Sequence, residues 1–199
     1  MSPSSILVGR RPEEEEDSLA PRPTGELRVL DVGTGSGCLA VTLARELPNA
    51  SAIGIDLSSA ALAWARQNAD EHSADVEFFE GDALRILRDR VTRIDTSRQF
   101  ELIVSNPPYI AQEDADSLDE EVRTFEPGEA LFAPKGDPDY WVRELCGLAP
   151  KLLVPGGLCL IELGHDQSGR LSELLTSSVY RARLHQDLAG IDRVLELAV

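Results

Sequence analysis

The sequence predicts an α/β fold: a doubly wound, mostly parallel sheet with helices on both faces and an antiparallel strand at its edge. Three observations point there. Short apolar runs rich in β-branched residues recur from Leu27 onward, helical patterns separate them, and the unusual residues collect where the runs end.

Residues 1–26 hold serine, proline, arginine and the acidic run Glu13–Asp17 with little apolar content. Such a composition buries too little surface to fold alone, so a flexible acidic lead-in is expected, followed by one domain over 27–199. Strands are predicted at Leu27–Val32, Ala52–Asp56, Val76–Phe79, Phe100–Ser105 and Leu158–Leu163. Helical patterns at Gly37–Leu47, Ser58–Asn68 and Tyr140–Leu153 lie between them. The closing run Arg193–Leu197 reads as one more strand at or near the sheet edge.

A chain of 199 residues suffices for one core and buries roughly 70% of its unfolded surface. Its 19 basic and 35 acidic residues give a formal charge of −16, which opposes phosphate attraction and argues against a nucleic-acid partner. Cys38, Cys146 and Cys159 are odd in number and form no CxxC pair, so neither structural zinc nor a disulfide framework is expected. No metal site is expected at His165 either, for want of neighbouring ligands at suitable spacing. No apolar run approaches membrane-spanning length. Acids at the N-terminus disfavour a targeting signal, so a cytoplasmic protein is expected, with an organelle the alternative in a eukaryote. The arginines at 85, 88, 90, 93 and 98 are read as a solvated surface.

Ligands of open α/β sheets bind beyond the carboxyl ends of the strands. There the first strand closes on "DVGTGSG", with Asp31, Gly33, Thr34, Gly35 and Gly37. The register excludes a nicotinamide fingerprint because position 38 is cysteine, and no Gly-Lys-Ser/Thr follows to make a phosphate loop. Asp56, ahead of Leu57, closes the second strand and is placed to accept from both hydroxyls of a ribose. Asp82, ahead of Ala83, follows the third strand. Each acid alone could equally be a turn residue or helix cap. An acid ahead of G-x-G-x-G resembles the cofactor loop of class I S-adenosylmethionine (SAM) methyltransferases, and that resemblance implies SAM as cofactor, their Rossmann-like fold and, at Asp82, an acid that accepts from the adenine amino group.

The fourth strand stops at "SNPPYI", residues 105–110. Two prolines make a stiff corner whose carbonyls have nearly fixed directions. If the Asn106 side-chain oxygen and the Pro107 carbonyl each accept one N–H, a planar amino group is held with its nitrogen lone pair toward the cofactor, and catalysis rests on orientation. Pro108 stiffens the corner, and Tyr109 offers a ring face to a planar acceptor. Adenine N6, guanine N2 and a glutamine amide all satisfy this geometry.

With these motifs, "FEPGEALFAPKGDPDYW" (125–141), "LLVPGGLCLIELGHDQ" (152–167) and "DLAGIDRVLELAV" (187–199) resemble the catalytic domain of the PrmC/HemK family, the protein-(glutamine-N5) methyltransferases of class 1 peptide-chain release factors. The resemblance covers about residues 27–199. It implies methyl transfer to the glutamine of a Gly-Gly-Gln loop. Asn106, Pro107 and Tyr109 would handle the acceptor amide, Glu126 would buttress its pocket, and Gly33, Asp56 and Asp82 would hold SAM. Glu162 and Gln167 would order the turn after the fifth strand. Family members carry a helical N-terminal domain and a connecting helix, whereas "PRPTGE" (21–26) runs almost directly into the first strand here. A catalytic domain without its N-terminal domain is therefore expected. The alternatives are a DNA or RNA amino methyltransferase and a SAM-binding remnant without activity.

Overall fold

The computed structural model describes residues 25, 27–92, 99–118, 127–171 and 176–199. Seven strands form one sheet: β1 (Leu27–Val32), β2 (Ala50–Asp56), β3 (Val76–Glu80), β4 (Phe100–Ser105), β5 (Leu153–Glu162), β6 (Arg181–Gln186) and β7 (Asp192–Ala198). Their spatial order is β3-β2-β1-β4-β5-β7-β6. The first five run parallel, and β7 is antiparallel to both neighbours. The helices are α1 (Cys38–Glu46), α2 (Ser59–His72), α3 (Ala83–Thr92), the single turn α4 (Gly128–Leu131) and α5 (Tyr140–Leu152).

The sheet divides its apolar residues between two faces. Val29, Ala40 and Ala52 are buried together on the α1 side. A larger core joins Leu30, Val32, Ile103, Ile161, Leu195 and Leu197 to Leu87 of α3 and to Val142 and Leu145 of α5. The alternation of Cβ direction along each strand produces this split.

Two details differ from the sequence expectation. The C-terminal run forms β7 near the sheet edge, as expected, but the edge itself is β6, which had not been predicted. In β6 the outward positions Arg181, Arg183 and His185 are exposed, a charged pattern that protects an edge from pairing with other chains. Strand β5 starts at Leu153, five residues before the expected Leu158, because the chain bulges through Pro155-Gly156-Gly157 and resumes pairing at Leu158. The expected acidic lead-in falls almost wholly outside the described residues. Of the predicted arginine surface, Arg88 pairs with Glu144 and Arg90 stacks 4.7 Å over the Phe100 ring, while Arg93 and Arg98 lie outside the described residues. Among the described residues no helix is long and apolar enough to cross a membrane.

Candidate active site

The parallel register sets Val32 beside Ile55 and Ser105, Ile55 beside Phe79, and Ser105 beside Ile161. The residues that follow these five therefore lie level at the carboxyl end of the parallel strands. Gly33, Asp56, Glu80, Asn106 and Glu162 stand there in a row, which brings the glycine loop, the acids and the proline corner to one end of the sheet. Backbone bonds lock the row. Gly33 and Thr34 both donate to the Ile55 carbonyl, at 2.9 and 3.0 Å, and Gly81 donates to that of Asp56 at 2.8 Å. The buried Ser105 hydroxyl donates to the Val32 carbonyl at 2.8 Å, tying the corner to the glycine loop's strand.

Gly33, Gly35 and Gly37 have φ of +74°, +56° and +79°, a left-handed series that L side chains resist. A Cβ at Gly33 or Gly35 would meet nothing within 4 Å, so those two glycines serve backbone conformation and leave room beside the loop. Asn68 of α2 donates to the Ser36 carbonyl at 2.9 Å and braces the loop from outside.

Asp31 is 1% exposed, and its Oδ2 accepts from the Thr34 hydroxyl at 2.7 Å and from the Ala40 amide at 3.1 Å. Its Oδ1 is buried with no hydrogen-bond partner. Burial pushes this carboxyl up from 3.8 to about 6, against the two bonds that favour its ionised form, with the neighbouring Asp56 charge adding a little. A buried orphan acceptor carries an energetic debt that a donor or cation on a ligand would relieve.

Asp56 accepts from the Gly35 amide through Oδ2 and from the Ser58 amide through Oδ1, both at 2.8 Å. It therefore closes the glycine loop, and about half of its roughly four lone-pair sites remain for a diol. Leu57 beside it is 63% exposed, an apolar surface next to that carboxylate. Asp82 caps α3 by accepting from the Arg85 amide at 3.1 Å, and Ala83 behind it is buried. For both acids the structural role and the expected ligand role are compatible, because neither uses the whole carboxylate.

At the corner, Asn106 is exposed, Pro107 buried, and Pro108 and Tyr109 half-buried. Ile110 then bridges to Phe132 in parallel, with the Ile110 amide donating to the Leu131 carbonyl at 3.1 Å and the Ala133 amide to the Ile110 carbonyl at 2.8 Å. The segment after α4 thus supports the corner from the side. Glu126, the expected buttress, lies outside the described residues. Glu162 is held above the usual carboxylate range by burial, partly offset by Arg193. Gln167 is 1% exposed and fully engaged in the turn, as expected of it. His165 is exposed and bonds Asp166 at 2.6 Å. Among the described residues no cluster of three or more His, Cys, Asp or Glu could hold a metal ion.

The sequence model of a family described as "Methyltransferase domain" matches residues 23–192. A release factor glutamine methyltransferase from Geobacter sulfurreducens is 40% identical, covering 96% of this chain and 65% of that protein. One of the same name from Koribacter versatilis is 39% identical, covering 98% of this chain and 67% of that protein. The chain belongs to the release factor glutamine methyltransferase family. It spans between 55% and 67% of the length of the first such relatives. A methyltransferase from Pyrococcus furiosus superposes with a TM-score of 0.58 at 16% identity, over 87% of this chain and 75% of that one. At that identity the likeness establishes the shared class I methyltransferase fold.

The proline corner, the three acids and Gln167 could be picked out from the sequence, whereas three supporting roles could not. Ser105, Gly54 and Gly164 act through contacts between distant segments. Only Gly54 carried a local signal, a lone glycine inside a strand: a Cβ there would stand 2.7 Å from the Phe78 ring and 2.9 Å from the Thr34 methyl.

Proposed function

We propose that this chain transfers a methyl group from SAM to the side-chain amide nitrogen of the glutamine in the Gly-Gly-Gln loop of class 1 peptide-chain release factors. The observation that carries the proposal is the exposed Asn106 on a doubly braced proline corner, level with three acids and a glycine loop, in a chain of this family. Such a partner places the protein where translation occurs, in the cytoplasm or an organelle. The formal charge of −16 opposes RNA as the acceptor.

The residues present fit SAM. Asp31 has a buried oxygen without a partner, the glycine loop leaves open space at Gly33 and Gly35, and Asp56 and Asp82 keep acceptor capacity. Asp31, Gly33, Thr34, Gly35 and Gly37 would hold its amino-acid end, Asp56 its ribose, and Leu57, Asp82 and Ala83 its adenine. Bound there, SAM supplies an electrophilic methyl on a sulfonium.

The chain's own contribution is orientation. An amide nitrogen is a poor nucleophile because its lone pair is delocalised into the carbonyl. Asn106 Oδ1 and the Pro107 carbonyl would accept its two N–H bonds and turn the lone pair toward the cofactor loop. The proline ring fixes φ at Pro107 and Pro108, and the Ile110 bridge holds the far end of the corner, so little motion remains to be frozen on binding. Pro108 and Tyr109 would wall the amide.

Replacing Asn106 by Ala tests the roles. Methyl transfer to a release factor should fall at least about a hundredfold, with the SAM dissociation constant from calorimetry changed by less than about twofold. Loss of SAM binding in that variant would contradict the division between acceptor and cofactor residues.

A further inference from the structure

We propose that Gly164 is a positioning residue: its lack of a side chain seats the Tyr109 ring, and the buried Gln167 holds that seat in place. The inference rests on the amide-methylating reading and extends it to the turn after β5, to which that reading assigns neither cofactor nor acceptor contacts.

Gly164 is not among the glycines with positive φ, so its backbone conformation is open to any residue. The reason for glycine there is space. A Cβ at Gly164 would stand 2.8 Å from Tyr109 Cδ2 and 3.3 Å from Cγ and Cε2. Real Cβ atoms essentially never approach so closely, so the ring would have to move. Cγ belongs to the root of the side chain, and the backbone on either side is restrained. Pro107 and Pro108 fix the chain before Tyr109, and the two hydrogen bonds of Ile110 pin it immediately after. The ring can therefore yield only by turning, which would change the wall it presents to the acceptor amide.

The seat is itself braced. Gln167 Oε1 accepts from the Gly164 amide at 2.7 Å, and the Gln167 amide donates to the Gly164 carbonyl at 3.2 Å. Gln167 Nε2 donates to the Pro138 carbonyl at 2.8 Å and to Asp139 Oδ1 at 3.0 Å. Arg170 grips both oxygens of Asp139, from Nε at 3.0 Å and Nη2 at 3.2 Å. On the other flank the Leu163 amide donates to the Arg193 carbonyl at 2.9 Å, and Arg193 Nη1 donates to the Leu163 carbonyl at 3.2 Å. A turn anchored from the start of α5 and from β7 cannot retreat to accommodate a larger residue.

The test is a double-mutant cycle of Gly164→Ala and Tyr109→Ala on SAM affinity, acceptor kcat/KM and urea stability. A 3-fluorotyrosine placed at position 109 reports on the ring directly by 19F resonance. Gly164→Ala should lower kcat/KM about tenfold to a hundredfold. It should shift the fluorine resonance and leave SAM affinity within about twofold. In the Tyr109→Ala background the same substitution should cost less than about twofold. Gln167→Met, which removes the acceptor for the Gly164 amide at similar size, should move the resonance in an otherwise folded protein and covers the case in which Gly164→Ala does not fold. Equal losses in both backgrounds, or an unmoved resonance, would overturn the proposal. If the wild-type chain methylates no release factor, the proposed function falls on its own. The resonance and the stability cycle then still decide whether Gly164 acts through Tyr109.

Discussion

Asp31→Asn should make the ligand-free chain more stable at alkaline pH. Asp31 is 1% exposed, has one oxygen without a partner, and titrates at about 6 in the fold against 3.8 outside it. Between those values the folded state binds the proton that the unfolded chain has released, so stability falls as pH rises through the window. The full cost, present above about pH 7, is on the order of 3 kcal/mol. Asparagine is neutral throughout. Its side-chain oxygen can still accept from Thr34 and Ala40, while its amide nitrogen inherits the unpartnered position. Allowing for that orphan donor, the variant should gain about 1–2 kcal/mol at pH 8. The gain should vanish near pH 5 and reverse to a loss of about 1 kcal/mol by pH 4, because the orphan donor's cost does not titrate. Urea unfolding followed by the fluorescence of Trp64 and Trp141 at both pH values measures the difference. Equal stability at pH 8, or a difference independent of pH, would refute the reasoning. SAM affinity of the variant should drop, since the proposed site loses its buried charge.

Gly54→Ala should cost about 1–3 kcal/mol by forcing Phe78 and Thr34 apart, and should weaken SAM binding because Thr34 bonds Asp31; denaturant titration and calorimetry check the two effects. Ser105→Ala, which leaves the buried Val32 carbonyl without its side-chain donor, should lower stability by about 1–2 kcal/mol in the same titration. A water-soluble disulfide reagent near pH 8 should modify one thiol per native chain. Cys38 is exposed, whereas Cys146 and Cys159 are buried and burial raises both thiols, that of Cys146 to about 11. Rapid modification of three thiols without denaturant would contradict the packing.

What could be read in the sequence was whatever depends on neighbours along the chain. Strands β1 and β4 begin and end where apolar alternation meets Gly33 and Asn106, and both match the structure residue for residue. The acids at positions 31, 56 and 82 were recognisable because strand ends in such a sheet are where ligands are met. Strand β6 was hidden because only Ala182 and Leu184 face inward among charged residues, a pattern weak in apolar signal. The bulge at Pro155-Gly156 disguised the start of β5 as a loop. At the site, the burial of Asp31, the Ser105 strut and the contact of Gly164 with Tyr109 join residues 9 to 73 positions apart or bring two loops together. No local pattern encodes such pairings. Their common effect is to fix the strand-end loops whose residue types were already recognisable.

The proposed methylation of a glutamine amide is tested most directly by incubating the purified chain with methyl-labelled SAM and a class 1 release factor, beside the Gly-Gly-Gln→Gly-Gly-Ala form of that factor and bulk ribosomal RNA. Label on the native release factor alone is the predicted result. Label on the RNA, or on both forms of the factor, would contradict the account.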